Sequence, residues 1–337
     1  MSGISKFADA AEIFRSLPLF NQDVALENIQ SIRDAFYGND KSIFLSQVNE
    51  INIDDPRLDK TGRYKIHGHS TYFDCLFFTP PRQTSQRKLY VSLSSGQEFG
   101  KTRPYPVFTR WSYHNIINGF YLCIEDPMYR RFPKAGVTWF FGTKNDSYVD
   151  EIKLLIVNIV KRYQISYDDV YFIGSSQGGS IALMLGNLIN NTNVFAMNPQ
   201  YDPAVFSNQS LKFFMSHLDV DIRDKSLTNF NFIPNNSTSR FFICTNCKSK
   251  IDLTQLEILS KIKVFPIRYG VHQYDNLTLW NHLSSDGHST FPEKLLFVIC
   301  LYYVELIKNN ISLNEYEIFN TLISEVLYKK YSLLDQM

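Results

Sequence analysis

A serine with glycines on both sides separates two apolar stretches of different character. Gly174, Ser176 and Gly178 form a GxSxG pattern after the apolar residues 170 to 173 and before a segment rich in Ala, Leu and Met. This context predicts a strand, a sharp turn that exposes the serine hydroxyl, and a helix. The pattern therefore predicts acyl chemistry on Ser176. Ser175 is a rival that lacks the symmetric glycines.

A serine hydroxyl is a weak nucleophile at neutral pH and requires a base. When a serine occupies a strand–turn–helix elbow, the acid and then the histidine follow it along the chain. His288 lies in the loop Asp286-Gly287-His288, just before the last large predicted helix, and is the predicted base. His282 and His272 are closer to the preceding predicted strand and are its rivals.

The acid should follow the strand predicted at 240 to 244. Residues 245 to 251 contain no carboxylate, and Asp252 is the first one after them. An acid at this point would hold the imidazole tautomer and stabilise the imidazolium. Asp252 is the predicted acid, with Asp202 and Asp275 as alternatives.

Two backbone N–H groups are needed to stabilise the oxyanion of an acyl-transfer intermediate. The first is expected from Gln177, directly after the serine. The second is expected from the polar turn after the strand predicted at 88 to 93, at Ser95 and Gly96.

Strands and helices alternate along most of the chain. A hairpin is predicted at 64 to 78, and further strands at 88 to 93, 120 to 124, 169 to 173, 194 to 197, 240 to 244 and 264 to 269. Helices are predicted between them at 148 to 163, 177 to 188 and 253 to 259, and a last one at 291 to 308. This order predicts an α/β-hydrolase fold: a mostly parallel central sheet with helices on both faces.

The chain divides into two predicted parts. Residues 1 to 62 form a small N-terminal segment with helical spacing over 5 to 38 and a polar connection over 39 to 62, and residues 63 to 337 form the hydrolase domain. Residues 201 to 238 interrupt the alternation and predict a cap above the carboxyl ends of the strands, where ligands of parallel sheets bind.

Composition narrows the classes of function. The formal net charge of the 337 residues is +1, with no basic stripe, so nucleic-acid binding is not expected. Cys244 and Cys247 form a CxxC without a second pair, so no metal is expected. The longest apolar run, 295 to 306, is too short to span a bilayer, and the N-terminus lacks a signal-peptide pattern. A soluble, cytoplasmic protein is therefore expected.

The elbow and its surroundings resemble a known family. Residues 171 to 179, the segment 182 to 186, Asn198-Pro199-Gln200, residues 256 to 259 and the late Asp286-Gly287-His288 resemble bacterial capsular polysaccharide and surface glycan O-acetyltransferases of the α/β-hydrolase fold. The resemblance covers about residues 85 to 308. The acid of that family lies near Lys248, where this chain has no carboxylate and Asp252 would substitute.

The resemblance implies that Ser176 takes an acetyl group from acetyl-CoA and passes it to a hydroxyl of a glycan acceptor, with no bound cofactor and with capsule-assembly or secretion partners. A serine esterase or other hydrolase of the same fold is one alternative, because water can replace the sugar. A non-catalytic module of capsule assembly or secretion is the other.

Overall fold

The computed structural model describes residues 41–80, 87–143, 145–206, 208–218, 234, 238–284, 287–288, 297, 300–301, 304 and 308. The strands in these residues are β1 Val48–Asn52, β2 Gly62–His67, β3 Tyr72–Phe78, β4 Leu89–Leu93, β5 Phe120–Ile124, β6 Val170–Ser175, β7 Asn193–Met197, β8 Arg240–Asn246, β9 Gly270–Tyr274 and β10 Leu277–His282. The helices are α1 Met128–Arg131, α2 Tyr148–Tyr163, α3 Gln177–Leu188, α4 Pro203–Phe206, α5 Asn208–Leu218 and α6 Lys250–Lys263.

The strands form one sheet in the order β1-β2-β3-β5-β4-β6-β7-β8-β10-β9. From β5 to β10 every neighbouring pair is parallel. Strand β3 is antiparallel to β2 and β5, and β9 is antiparallel to β10. The predicted order, a hairpin followed by parallel βα units, is confirmed. The carboxyl ends of the parallel strands consequently share one edge, where the loops after β4, β6, β7, β8 and β10 meet.

The central strands are buried along their whole length. Every residue of β4, β6 and β7 is buried, as expected for parallel strands covered on both faces. Ser147 caps the amino end of helix α2, and its hydroxyl accepts the N–H of Asp150 at 3.2 Å. Its apolar stripe, spaced at three and four residues, is buried at Ile152, Leu155, Ile156 and Ile159.

The prediction of a strand at 264 to 269 is wrong. Val264 follows the last turn of α6 and has a φ of 54°. This left-handed conformation is rare for a β-branched residue and is incompatible with an extended strand at that residue. The strands lie further along the chain instead. They form the hairpin β9–β10, with Asp275 at a φ of 49° in its turn.

The polar connection predicted at 39 to 62 contains a strand. Residues of β1 pair in parallel with β2, so the sheet begins within the predicted N-terminal segment. The helical spacing of residues 5 to 38 lies outside the described residues. The division of the chain at residue 62 stays a prediction.

The final helix predicted at 291 to 308 is described only at Phe297, Cys300, Leu301, Val304 and Lys308, all of them helical. Among the described helices, none has the length and apolar character that crossing a membrane requires.

The turn after β6 depends on the absence of side chains at two glycines. A Cβ on Gly174 would lie 2.1 Å from the carbonyl oxygen of Gly178, so Gly174→Ala must push the strand away from the helix. We expect the free energy of unfolding to fall by about 1–3 kcal/mol, measured by urea denaturation. The control is Gly62→Ala, where the nearest atom to the new Cβ lies 3.4 Å away. Equal stability of the two variants would contradict this account of the turn.

Candidate active site

Ser176 lies in the turn between β6 and α3, as the GxSxG context predicts. Its φ of 54° and ψ of −126° fall in a region that residues other than glycine rarely adopt and that is concentrated at functional sites. Its N–H donates to the carbonyl of Met197 at 2.9 Å, and its carbonyl accepts from the N–H of Ser180 at 3.1 Å. Contacts to β7 and to α3 thus hold the strained turn.

His288 connects the serine to a carboxylate. Its Nε2 lies 2.9 Å from Ser176 Oγ, and its Nδ1 is hydrogen-bonded to Asp252 Oδ1. The three residues that the sequence predicts as nucleophile, base and acid are therefore in one hydrogen-bonded chain. Such a chain can remove the proton from a serine hydroxyl and return it to a leaving group.

Asp252 reaches His288 from the first turn of α6. Its side chain is only 1% exposed, and the positive end of the helix dipole favours a carboxylate there. The N–H of Ser249 donates to the carbonyl of Asn246 at 3.1 Å, which closes the turn after β8. The acid consequently lies on the helix that follows, a few residues further along than Lys248.

Among the described residues, neither rival acid is hydrogen-bonded to His288 and neither rival histidine is hydrogen-bonded to Ser176. Asp202 accepts the N–H of Val205 at the start of α4, and Asp275 lies in the hairpin turn. His272 is on the outer strand β9, bonded to the carbonyl of Tyr269 at 2.8 Å. His282, at the end of β10, packs its ring against Trp280 at 5.0 Å between centroids.

Gln200 is a site residue that the sequence reasoning did not assign. Its Nε2 donates to Ser176 Oγ at 2.6 Å, and its Oε1 accepts from the indole Nε1 of Trp139. Because an indole N–H can only donate, this contact fixes which end of the amide faces the serine. With Gln200 donating to it, Ser176 Oγ directs its own proton towards His288. Gln200 appears in the sequence only within the Asn198-Pro199-Gln200 resemblance, and no local pattern marks it as a donor.

Asn246 holds the loop that carries the histidine. Its Nδ2 donates to the carbonyls of Ser284 at 3.0 Å and Gly287 at 2.7 Å. Its Oδ1 accepts the N–H of Ser284 at 2.9 Å, and its own N–H donates to Asn198 Oδ1 at 2.8 Å. The side chain is buried. The end of β8 therefore fixes the backbone next to His288.

The loop predicted to complete the oxyanion hole lies beside the elbow. Ser95 Oγ is 2.7 Å from Ser175 Oγ, and a Cβ on Gly96 would lie 2.6 Å from Val137 Cγ1. The N–H of Gln97 donates to the carbonyl of Gly136 at 2.7 Å. The loop is thus packed closely between the elbow and the segment around residue 136. Which of its amides bind a substrate oxygen stays a prediction.

A buried ion pair supports the same loop. Arg103 Nη1 donates to the carbonyl of Ser95 at 3.1 Å, and its Nη2 lies 3.0 Å from Glu125 Oε1. Burial raises the pKa of Glu125 to about 8, and Arg103 opposes that rise.

Part of the predicted cap contacts the site. The ring of Phe206 in α4 lies 4.9 Å from that of His288. Ser210 Oγ accepts the N–H of Val137 at 3.4 Å. Helix α4 therefore contacts His288, and helix α5 contacts the segment at Val137. Most of residues 219 to 238 lie outside the described residues, so a complete cap stays a prediction.

The described part of the chain contains no group of three or more His, Cys, Asp or Glu side chains arranged to hold a metal ion. Cys244 and Cys247 are buried free thiols, and burial raises the pKa of Cys247 to about 11.

Comparisons with known proteins bear on the fold. No protein-family model matches the chain, and no curated protein matches it by sequence. Dipeptidyl peptidase 4 of Porphyromonas gingivalis superimposes with a TM-score of 0.51 and 11% identity, over 74% of this chain and 35% of its own. A puromycin hydrolase superimposes with a TM-score of 0.50 and 10% identity, over 75% of this chain and 40% of its own. The capsule O-acetyltransferase of Neisseria meningitidis serogroup A is also similar, with a TM-score of 0.49 and 19% identity, over 76% of this chain and 98% of its own. The chain has the α/β-hydrolase fold that its sequence predicts.

Proposed function

We propose that this protein is a serine acyltransferase that acetylates hydroxyls of a bacterial capsular or surface glycan through an acyl-Ser176 intermediate. The hydrogen-bonded chain Ser176–His288–Asp252 carries the proposal. It supplies a nucleophile, a base within reach of its proton and a carboxylate that orients the base. A binding module that merely retained the fold would have no need for this alignment.

The first half-reaction forms the acyl enzyme. Ser176 Oγ attacks the thioester carbonyl of acetyl-CoA while His288 Nε2 accepts the hydroxyl proton. The tetrahedral oxyanion receives hydrogen bonds from the N–H of Gln177 and from the Ser95–Gly96 loop. The C–S bond then breaks, and CoA leaves with the proton from His288.

The second half-reaction reverses these roles. A sugar hydroxyl attacks the acetyl ester and gives its proton to His288. The ester bond to Ser176 breaks, and the proton returns to Oγ. Water in place of the sugar would make the protein an esterase, so the acceptor decides between the two activities.

The choice of acetyl group, CoA donor and glycan acceptor rests on the sequence resemblance of the elbow and the Asn198-Pro199-Gln200 segment. The proposed acid, Asp252, lies beyond the position near Lys248 that the resemblance leads one to expect. Its hydrogen bond to His288 supports an intact triad despite that departure.

Acetyl-CoA should label Ser176, and adding a capsular glycan should move the label to the glycan. Peptide mass spectrometry is expected to find the acetyl group on Ser176 in the wild type and none in Ser176→Ala.

Asp252→Asn should lower turnover by on the order of 10⁴-fold, because it favours the wrong imidazole tautomer. The control His272→Gln alters an outer-strand histidine and should retain wild-type turnover.

Acetate release without acetylated glycan would contradict the transferase proposal and favour the esterase. Failure of a fluorophosphonate to label Ser176 in folded protein would contradict both, leaving the non-catalytic module.

Gln200→Leu should slow catalysis without unfolding the protein. The variant removes the donor that orders the Ser176 hydroxyl, so kcat should fall about 10-fold, matching the loss of one hydrogen bond between neutral groups. Ester hydrolysis kinetics measure the effect, with Gln273→Leu, an exposed glutamine of β9, as control. An unchanged kcat in Gln200→Leu would show that the contact is dispensable.

Asn246→Ala should displace His288 while the protein remains folded. Loss of the bonds to Ser284 and Gly287 frees the His288 backbone, and we expect slower fluorophosphonate labelling of Ser176 together with a stability loss of about 1–3 kcal/mol. Asn158→Ala is the matched control, because Asn158 Nδ2 donates to the carbonyl of Ile53 at 2.9 Å far from the site. Similar labelling rates in the two variants would refute a positioning role for Asn246.

A further inference from the structure

Arg110 lies in the long loop between β4 and β5, just before a 3₁₀ turn at Trp111–Asn115. Its φ of 59° is left-handed, a conformation that costs free energy for any residue with a Cβ. The hydroxyl of Tyr121 donates to its carbonyl at 3.0 Å. Backbone strain of this kind persists only where the surroundings enforce it, and it is concentrated at functional sites.

The guanidinium of Arg110 is surrounded by neutral hydroxyl groups. Nη1 donates to Ser95 Oγ at 3.3 Å and to Thr109 Oγ1 at 3.4 Å. Nη2 donates to Ser175 Oγ and is 3.5 Å from Ser95 Oγ. Nε is buried and has no hydrogen-bond partner among the described residues. Burial lowers the pKa of the group.

Three other arginines that are at least partly buried face a carboxylate, which Arg110 does not. Arg103 pairs with Glu125, Arg130 with Asp74 and Arg240 with Asp168. Arg110 forms no ion pair with any residue that the structure describes. A partly buried charge without a counterion is costly, and a role at the neighbouring Ser176 would account for the guanidinium beside Ser175.

The two serines that Arg110 contacts flank the reaction centre. Ser175 precedes Ser176, so their Cα atoms are about 3.8 Å apart, and Ser95 precedes Gly96 in the proposed oxyanion loop. The acyl carbonyl oxygen would lie between Ser176 and that loop, and it becomes negative in both tetrahedral intermediates.

We propose that Arg110 is a positioning residue that holds the Ser95 loop against the elbow and supplies the positive charge that stabilises the oxyanion. The proposal rests on the proposed acyl chemistry at Ser176 and is independent of the acetyl donor and the glycan. The charge acts through Ser95 and Ser175 and takes no proton. Acylation and deacylation should therefore depend on it equally.

The test compares Arg110→Lys and Arg110→Met with the wild type on p-nitrophenyl acetate, and Arg57→Met, which alters an exposed ion pair, is the control. Arg110→Met should lower kcat by about 10-fold with little change in KM, less than the roughly 10²- to 10³-fold loss for a direct oxyanion donor, because its charge acts through Ser95 and Ser175. Arg110→Lys should recover part of kcat because it keeps the charge. Equally low kcat values in the two variants would reduce Arg110 to a packing role and overturn the proposal.

A second probe distinguishes stabilisation of the oxyanion from binding of an acidic group of the substrate. A trifluoromethyl ketone with a ¹³C-labelled carbonyl forms a hemiketal on Ser176, and its chemical shift against pH gives the hemiketal pKa. In the wild type this pKa should lie below that of the free hydrate, and Arg110→Met should raise it. A wild-type pKa equal to that of the hydrate would overturn the proposal even if Arg110→Met does not fold. So would a defect in Arg110→Met confined to the KM of the anionic mono-p-nitrophenyl succinate, because Arg110 would then bind an acidic substrate group.

The outcomes also separate this proposal from the acetyltransferase. Hemiketal and ester results as expected, without acetyl transfer to glycan, support the role of Arg110 and contradict only the proposed acceptor. Normal ester turnover in Arg110→Met, with acetyl transfer intact in the wild type, contradicts only the role of Arg110.

Discussion

The site depends on one steric constraint, the close approach of strand β6 to helix α3 at Gly174 and Gly178. A Cβ at Gly178 would lie 2.7 Å from the carbonyl oxygens of Leu93 and Ser94, so the same glycine also sets the distance between the elbow and the end of β4. Ser176, the middle of the three residues between these glycines, has the strained φ of 54° and ψ of −126°. Because the parallel strands end at one edge, the loops after β4, β7, β8 and β10 converge on that serine.

The hydrogen bonds around Ser176 have a single direction. At one end the indole of Trp139 can only donate, and at the other end the carboxylate of Asp252 can only accept. Between them, Gln200 donates to Ser176 Oγ, which donates to His288 Nε2, and Nδ1 donates to Asp252. The order of protons therefore follows from the chemistry of the two ends. It is the order that a serine nucleophile requires before it reacts.

The sequence was most informative where a local pattern combined with chain order. The elbow has its own signature, and His288 and Asp252 follow from the order serine, acid, histidine. Prediction failed at Val264 and did not assign Gln200. Val264 is β-branched and favours a strand, yet it ends α6 in a left-handed conformation. Gln200 becomes a donor only because Trp139 holds its amide, and no spacing in the sequence encodes that contact.

Charge is distributed unevenly across the proposed reaction centre. Asp252 is hydrogen-bonded to His288, and Arg110 donates to the hydroxyls of Ser175 and Ser95. During attack on a carbonyl, the proton of Ser176 moves towards His288, and the electron pair of the C=O bond moves towards the oxyanion loop. The carboxylate of Asp252 thus stabilises the protonated imidazole of His288, and in the proposed role Arg110 stabilises the charge that develops at the oxyanion loop. Both fixed charges are held by the folded protein before the substrate arrives, so they need no reorganisation during the reaction, the condition under which electrostatic stabilisation is most effective.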